Sequence, residues 1–212
     1  MGGNRWLHSQ MPIYQVTDPS MKIGVLALQG DFTEHVTALH RLGAEAVEVR
    51  LPKQLEALDG LIIPGGESTT FGKLAVAFGL MDPLREFGRH KAIWGTCAGA
   101  IFLSKDIHRP QPILSLMDIT IARNAFGRQV DSFETDLTVP ALKAVDPSDL
   151  PYHAVFIRAP LIESVQADTQ VLASLQDGRI VAAQQGHLLA TSFHPELTKD
   201  DRFHQYFLTL AR

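Results

Sequence analysis

Residues 93–102, IWGTCAGAIF, decide how the fold is interpreted, because an apolar run ends there at a cysteine set between glycines. Cys97 is the only cysteine in the chain, and Gly95 and Gly99 lie two positions before and after it. This spacing is typical of a nucleophile elbow, a sharp turn from a strand into a helix, where glycines avoid clashes at the bend. A free cysteine is more commonly an inert buried residue, so a reactive thiol here requires a partner base elsewhere.

The elbow hypothesis also specifies the chemistry expected around Cys97. The turn exposes the sulfur, and the N-terminus of the following helix supplies a positive potential that favours the thiolate. The backbone N–H of Ala98 then points towards the reacting carbon as an oxyanion donor.

The residues before the elbow alternate between strand and helix patterns. Apolar runs rich in branched residues predict strands, and helices are indicated between them. The first helix ends at Gly43, and Asp31 and Glu34 at its start resemble a capping box. Alternation of this kind predicts an α/β fold with parallel strands and helices on both faces. The predicted strands are 22–28, 46–50, 60–64 and 91–95, and the later helices are 68–78 and the segment after Cys97.

The residues after the elbow are richer in strands and end in a helix. The predicted strands are 118–121, 129–139, 153–159, 169–175, 179–184 and 187–193, followed by a helix at 199–210. Ligands bind at the carboxyl ends of parallel strands. Three unusual turns, PGGES, GTCAG and HPE, follow predicted strands, so we expect them to converge on one edge of the sheet.

Composition excludes several classes of protein. The 212 residues are 45% hydrophobic, which suits one compact domain. The net charge is −4, with no run of basic residues, so we expect neither nucleic acid nor a membrane as a partner. One cysteine allows no internal disulfide and fits a cytoplasmic protein. Residues 1–20 lack a clear hydrophobic period, so we expect them to be a disordered N-terminal extension or tag and residues 21–212 to form the single domain.

The candidate partner base is His194, in the sequence SFHPEL at the end of an apolar strand. Glu196 follows two positions later, and in an extended chain such side chains point the same way. Glu196 can therefore orient the ring of His194 and stabilise its charged form. His35 and His204 lie on predicted helices and are interpreted as solvated or satisfied histidines. Since C-x-x-C and H-x-x-x-H patterns are absent from the sequence, no metal site is predicted.

The third turn contains Gly65, Gly66 and Glu67. Two glycines after a strand let the backbone approach a ligand closely and present its N–H groups. The structural alternative is an ordinary turn in which Ser68 caps the next helix. Both interpretations can hold, because a turn can cap a helix and line a site.

In this order and spacing, the cysteine elbow, HPE and the Gly-Gly turn resemble the triad (class I) glutamine amidotransferases. The stretches PGGEST and RNAFGRQ resemble the branch that acts as glutaminase subunit of pyridoxal 5′-phosphate synthase, and the resemblance runs from Met21 to Arg212. It implies a three-layer, flavodoxin-like fold with a mostly parallel central sheet. It also implies a partner, a (β/α)8-barrel synthase subunit, on which the glutaminase depends for full activity.

The resemblance implies a role for each matching residue. Cys97 is the nucleophile, and His194 and Glu196 complete a catalytic triad. The backbone N–H groups of Gly66 and Ala98 form the oxyanion hole. L-glutamine is the substrate, and neither a cofactor nor a metal is required. The residues implied to bind glutamine are Gly65, Gly66, Glu67, Arg123, Ile157 and Arg158.

Three alternatives remain open from the sequence. The chain could serve another amidotransferase, such as imidazole glycerol phosphate synthase, although PGGES and RNAFGRQ argue against this. It could be a non-catalytic binding module on the same fold, which an intact set of Cys97, His194 and Glu196 disfavours. It could also be a cysteine hydrolase or chaperone of a related thiol family, which usually lacks the HPE ending.

Overall fold

The structure is a computed structural model that describes residues 20–123 and 132–212. Nearly all of the predicted N-terminal extension, most of RNAFGRQ and the first residues of the strand predicted at 129–139 lie outside the described residues. The strands are β1 (Lys22–Leu26), β2 (Glu45–Val49), β3 (Gly60–Ile63), β4 (Ala92–Thr96), β5 (Ser104–Asp106), β6 (Met117–Ala122), β7 (Ser132–Leu137), β8 (Tyr152–Ile157), β9 (Leu161–Val165), β10 (Gln170–Ser174), β11 (Ile180–Gln185) and β12 (Leu188–Thr191). The helices are α1 (Phe32–Arg41), α2 (Ser68–Ala77), α3 (Met81–His90), α4 (Ala98–Leu103) and α5 (Arg202–Leu210).

The central sheet has the order β2-β1-β3-β4-β12-β11-β9-β6-β5, and β10 pairs with β11 outside this path. The strands from β2 to β12 are parallel to their neighbours, as predicted. In the series β12, β11, β9 and β6 each strand is antiparallel to the next, and β7 pairs with β8 in a separate antiparallel sheet. The sheet is therefore mixed: it is parallel from β2 to β12, as predicted, and largely antiparallel beyond β12, where among the described strands only β5 and β6 pair in parallel.

The short turn between β11 and β12 explains why this pair of strands is antiparallel. Only Gly186 and His187 separate the two strands, and Gly186 has φ of +56°. Parallel neighbours need a crossover of about a dozen residues or more, so a two-residue connection leaves an antiparallel hairpin as the only solution.

Helices cover both faces of the sheet, which gives the predicted three layers. Successive residues of a strand point to opposite faces. Trp94 of β4 accordingly packs with α1 and α5, through residues such as Leu39 and Phe207. Its neighbour Ile93 packs in the opposite core, with residues of α2, α3 and α4 such as Phe71. The described helices are all too short to cross a membrane.

Three of these elements were not predicted: the short strand β5, helix α3 and strand β9. Helix α3 contains Pro83, which usually argues against a helix, but a proline in the first turn loses no intrahelical hydrogen bond. Strand β9 lies between β6 and β11, and these neighbours supply its hydrogen bonds. Long-range pairing therefore decides a segment whose local pattern is weak.

Candidate active site

Cys97 lies at the junction of β4 and α4, where the backbone is strained. Strand β4 ends at Thr96, helix α4 begins at Ala98, and Cys97 between them has φ of +47°. For a residue with a side chain, this conformation costs on the order of 1–3 kcal/mol and persists only where the surroundings enforce it. The N–H of Cys97 donates to the carbonyl oxygen of Thr191 at 2.8 Å. Strand β12 therefore helps to hold the elbow in place.

Close backbone packing requires both glycines of the elbow. A Cβ atom on Gly95 would lie 2.5 Å from the carbonyl carbon and oxygen of Gly99. A Cβ atom on Gly99 would lie 1.9 Å from the carbonyl oxygen of Ile63, in β3. A Cβ atom at either position would therefore require the main chain to move. The G-x-C-x-G pattern is needed because Gly95 packs against Gly99 and Gly99 packs against Ile63 of the neighbouring strand β3.

His194 and Glu196 form a close buried pair beside the elbow. The Nδ1 atom of His194 is 2.7 Å from Oε1 of Glu196, and both residues are at least nine-tenths buried. Because an ionised carboxylate only accepts hydrogen bonds, Nδ1 carries the proton. The local chain is a short 3₁₀ helix, Pro195–Leu197, and not the extended segment that we expected. The side chains thus meet around a tight turn.

The electrostatics favour a charged imidazole. Burial lowers the pKa of His194, but hydrogen bonding and charge interactions with Cys97 and Glu196 outweigh it and raise this pKa to about 10. At neutral pH the ring is therefore an imidazolium, which pairs with the carboxylate of Glu196 and lies beside the sulfur of Cys97. The sulfur and the imidazolium together provide a nucleophile and an acid that can protonate a leaving group.

The carboxylate of Asp31 also lies close to the ring of His194. Its Oδ2 atom lies 3.7 Å from Nδ1 of His194, and its side chain makes no hydrogen bond that caps α1. This contradicts the predicted capping box of Asp31 and Glu34. Possible metal-ligand atoms of Asp31, His194 and Glu196 lie within 4.8 Å of one another. A metal on Nδ1 would replace the proton required by the bond to Glu196, so the arrangement favours an oriented imidazole.

The Gly-Gly turn packs directly against the histidine. A Cβ atom on Gly65 would lie 2.6 Å from Cε1 of His194, so only glycine fits there. Gly66 has φ of +142°, a conformation that favours glycine. The side chain of Gln29 holds the turn, accepting from the N–H of Glu67 and donating to its carbonyl oxygen, both at 3.3 Å. The turn and the pair of His194 and Glu196 thus share one site.

Glu67, and not Ser68, caps helix α2. Its carboxylate accepts from the N–H groups of Thr69 at 3.0 Å and Thr70 at 2.7 Å. Burial acts to raise the pKa of Glu67, but the hydrogen bonds from Thr70 and Thr69 outweigh it and lower the pKa to about 2. Arg123 donates to Oε1 of Glu67 at 3.2 Å, as well as to neighbouring side chains. The structure thus brings these two residues together as a cation and an anion beside the Gly-Gly turn.

Ile157 and Arg158 lie at the end of β8. The carbonyl oxygen of Ile157 is 4.0 Å from the sulfur of Cys97, so the end of β8 borders the thiol. Arg158 is exposed and has φ of +45°. Ala98 is the first residue of α4, and the first N–H groups of a helix lack partners within that helix. All the predicted site residues therefore lie on elements that border the elbow or the Gly-Gly turn.

Comparison with known proteins matches residues 25–211 to the model of the SNO glutamine amidotransferase family. The chain belongs to this family. A protein of Herpetosiphon aurantiacus named pyridoxal 5′-phosphate synthase subunit PdxT is 59% identical over 195 residues, which cover 90% of this chain and all of the relative. A protein of the same name from Roseiflexus sp. (strain RS-1) is 55% identical over 194 residues, with 90% and 100% covered.

Comparison with solved structures supports the same family assignment. A crystal structure of a glutamine amidotransferase is 52% identical, has a TM-score of 0.83, and covers 89% of this chain and 98% of its own. A putative GMP synthase subunit of Thermoplasma acidophilum is 19% identical with a TM-score of 0.64, over 91% and 94% of the two chains. The second match shows the shared fold alone. The predicted class I glutamine amidotransferase fold is confirmed.

In this SNO family member, two buried histidines lie near the site and were not among the predicted site residues. His35 and His204 have no exposed surface. Of the two interpretations given for them, solvated or satisfied, burial excludes the first, and the hydrogen-bonding contact between the two rings fits the second. Helical spacing contained the signal: His35 lies on the same side of α1 as the buried Ala38 and Leu39, at i+3 and i+4. Gln29 was not predicted either, because its role depends on a contact with Glu67 across 38 positions.

Proposed function

We propose that this chain hydrolyses L-glutamine to L-glutamate and ammonia, and that it delivers the ammonia for the synthesis of pyridoxal 5′-phosphate. One observation carries the proposal: the strained Cys97 adjoins an imidazole whose Nδ1 is 2.7 Å from the buried Glu196. Membership of the SNO glutamine amidotransferase family supports the glutaminase reaction. The relatives are named as subunits of pyridoxal 5′-phosphate synthase, which supports the proposal that this chain supplies ammonia to that synthase.

The first half of the reaction forms a thioester. The thiolate of Cys97 attacks the side-chain amide carbon of glutamine and forms a tetrahedral intermediate with a negatively charged oxygen. The N–H groups of Gly66 and Ala98 stabilise this oxygen. The imidazolium of His194 donates its Nε2 proton to the amide nitrogen, the C–N bond breaks, and ammonia leaves.

The second half of the reaction uses the neutral imidazole that remains. His194 Nε2 takes a proton from a water molecule, whose oxygen attacks the thioester carbon. The second tetrahedral intermediate collapses, the C–S bond breaks, and glutamate departs while Cys97 returns to the thiolate. Glu196 accepts the Nδ1–H bond throughout and holds the tautomer that leaves Nε2 free for proton transfer.

Charged groups beside the elbow suit the amino-acid end of glutamine. We assign Arg123, Arg158 and the backbone at Ile157 to the α-carboxylate, which needs cations or N–H donors. Glu67 remains ionised at neutral pH, because its pKa is about 2, and it suits the α-ammonium. Gly65 and Gly66 let the backbone approach the side-chain amide.

Ammonia released into water at neutral pH becomes ammonium and loses its nucleophilicity. Direct transfer to a bound enzyme avoids this loss. We therefore propose that the partner is a (β/α)8-barrel synthase subunit in the cytoplasm, and that residues 21–212 form the glutaminase domain that docks on it. The partner completes the oxyanion hole, so the isolated chain has low activity.

The test is glutamate formation from L-glutamine. The protein is assayed alone, with the synthase subunit of the same organism, and as Cys97→Ala in both mixtures. We expect low activity alone, an increase with the synthase subunit, and none with the Cys97→Ala variant. Unchanged glutamine in every wild-type mixture would refute the glutaminase, and full turnover by the isolated chain would refute dependence on the partner.

A further inference from the structure

His35 and His204 connect helix α5 to the carboxylate of Glu196. The Nδ1 atom of His35 is 3.0 Å from Nε2 of His204. The other nitrogen of His35, Nε2, is 3.3 Å from Oε2 of Glu196 and 3.3 Å from Oγ1 of Thr96. The mechanism above uses neither ring, although both are completely buried directly behind the site.

Both rings are neutral imidazoles. Burial, followed by the charges of His204 and His194, lowers the pKa of His35 well below its ordinary value. Burial and the charge of Arg41 lower the pKa of His204 to about 3. A neutral imidazole has one N–H donor and one acceptor nitrogen. The hydrogen bond between the two rings therefore runs in a single direction.

One choice of tautomers supplies the carboxylate with a donor. If His35 is protonated on Nε2, its N–H bonds Oγ1 of Thr96 and also presents its positive end to Oε2 of Glu196, with both oxygens at 3.3 Å. Its Nδ1 then accepts from the Nε2–H of His204. The reverse choice turns a lone pair of His35 towards the carboxylate. It also leaves the Nδ1–H of His204 buried without an acceptor among the described residues. A buried unpaired N–H is costly, so the first choice is favoured.

Glu196 requires this donor. Its Oε1 accepts from His194, but the buried Oε2 has no well-aligned hydrogen bond within the part of the chain that the structure describes. Burial raises the pKa of Glu196, and the bond from His194 acts against it. A donor at 3.3 Å on Oε2 would stabilise the ionised form and limit rotation of the carboxylate.

The indole ring of Trp94 packs against both histidine rings and restrains them. Its ring meets His35 edge to face, with centroids 5.7 Å apart, and meets His204 in the same way at 4.9 Å. The indole is itself held, because its Nε1–H donates to Oγ1 of Thr191 at 3.1 Å. The histidines therefore have little freedom to rotate out of line with Glu196.

We propose that His35 is a positioning residue for the catalytic pair: its Nε2–H holds Oε2 of Glu196, and His204 fixes the tautomer of His35. The proposal rests on the triad assigned under the proposed function. His35 touches neither substrate nor sulfur in this role, and it acts through Glu196 on His194. The ionisable groups around this chain of contacts are His194, Asp31, Tyr152 and Arg41.

The test compares two substitutions at the same position. His35→Gln keeps an amide N–H where the Nε2–H of histidine lies, whereas His35→Leu removes the donor. We expect His35→Leu to lower kcat roughly 10- to 100-fold, the usual range for a hydrogen bond to a charged group, with little change in KM. His35→Gln should recover most of this loss. His187→Leu is the matched control, since His187 bonds the carbonyl oxygen of Gly88 away from the site.

A second measurement tests the positioning role of His35 without depending on glutamine hydrolysis, and it distinguishes this role from a defect in folding. Thermal unfolding first shows that each variant is folded. The rate at which iodoacetamide alkylates Cys97 is then measured as a function of pH in the wild type and in the same variants. Without the donor, Glu196 accepts a proton more readily, so the acidic limb of the His35→Leu profile should move to higher pH. His204→Phe should move it in the same direction by less.

Each outcome decides one of the two hypotheses. Wild-type kcat and an unmoved alkylation profile in His35→Leu would overturn the positioning role, as would a folded His35→Gln that is as impaired as His35→Leu. Absence of glutamine hydrolysis by the wild-type protein would refute the glutaminase alone, because the alkylation profile still reports on His35.

Discussion

Substitution of Gly99 by alanine tests whether close packing positions the thiol. Two effects act in opposite directions. Alanine in a helix is more stable than glycine by roughly 0.5–1 kcal/mol, so helix propensity predicts a gain, since Gly99 lies inside α4. The added Cβ atom would, however, lie 1.9 Å from the carbonyl oxygen of Ile63.

The geometry decides which effect is larger. An ordinary contact between carbon and oxygen is about 3.3 Å, so α4 and β3 must separate by more than an ångström. Overpacking of this kind costs up to about 3 kcal/mol, which exceeds the helix gain and leaves a net loss of roughly 2 kcal/mol. Because Cys97 immediately precedes this helix, its sulfur moves too, and a misplacement of about 1 Å can lower kcat about 100-fold.

The assay combines urea unfolding with glutamate formation in the presence of the synthase subunit. Gly79→Ala is the control, since Gly79 has φ of +65° and no atom within 4 Å of an added Cβ. It should lose about 1–2 kcal/mol of stability through backbone strain and keep wild-type kcat. A Gly99→Ala variant that is more stable than the wild type and fully active would refute the packing argument.

Two pH-dependent predictions concern the charged groups. The pKa of His194 is raised from 6.5 to about 10, so its stabilisation is present below pH 6.5 and lost as pH rises through about 10. The unfolding free energies of wild type and Glu196→Gln should therefore converge over that range, and a constant difference would contradict this proton assignment. Glu67→Ala removes a helix cap and should cost about 1 kcal/mol at pH 7. Since the pKa of Glu67 falls from 4.5 to about 2, this cost should disappear as pH falls through about 2. A cost that persists below that pH, in urea unfolding curves, would show that the carboxylate is not the cap.

The strand and helix pattern of the first half could be predicted from local sequence. Runs such as residues 60–64 are apolar throughout because β3 is buried on both faces. Helix α1 shows its buried face through spacing, and Gly43, with φ of +77°, ends it as expected. Such signals depend on residues close together in the chain, where periodicity is informative.

The second half could be predicted less well for a physical reason. Strand β9 and the antiparallel register depend on partners far away in sequence, and a short run of residues does not specify its partner. The same limit applies to Asp31, where the local pattern S/T/D-x-x-E indicated a cap. In the structure its carboxylate faces His194, a contact across more than 160 positions.

The chemical groups of the site and the turns that carry them could be identified from sequence alone. The G-x-C-x-G elbow, HPE and PGGES are local patterns, because backbone strain and tight turns restrict which residues can occupy them. The surroundings of these groups depend instead on how distant parts of the chain pack together. The charge of His194, the cap made by Glu67 and the contact of His35 with Glu196 depend on burial and on distances across the sheet, and no local pattern encodes those distances.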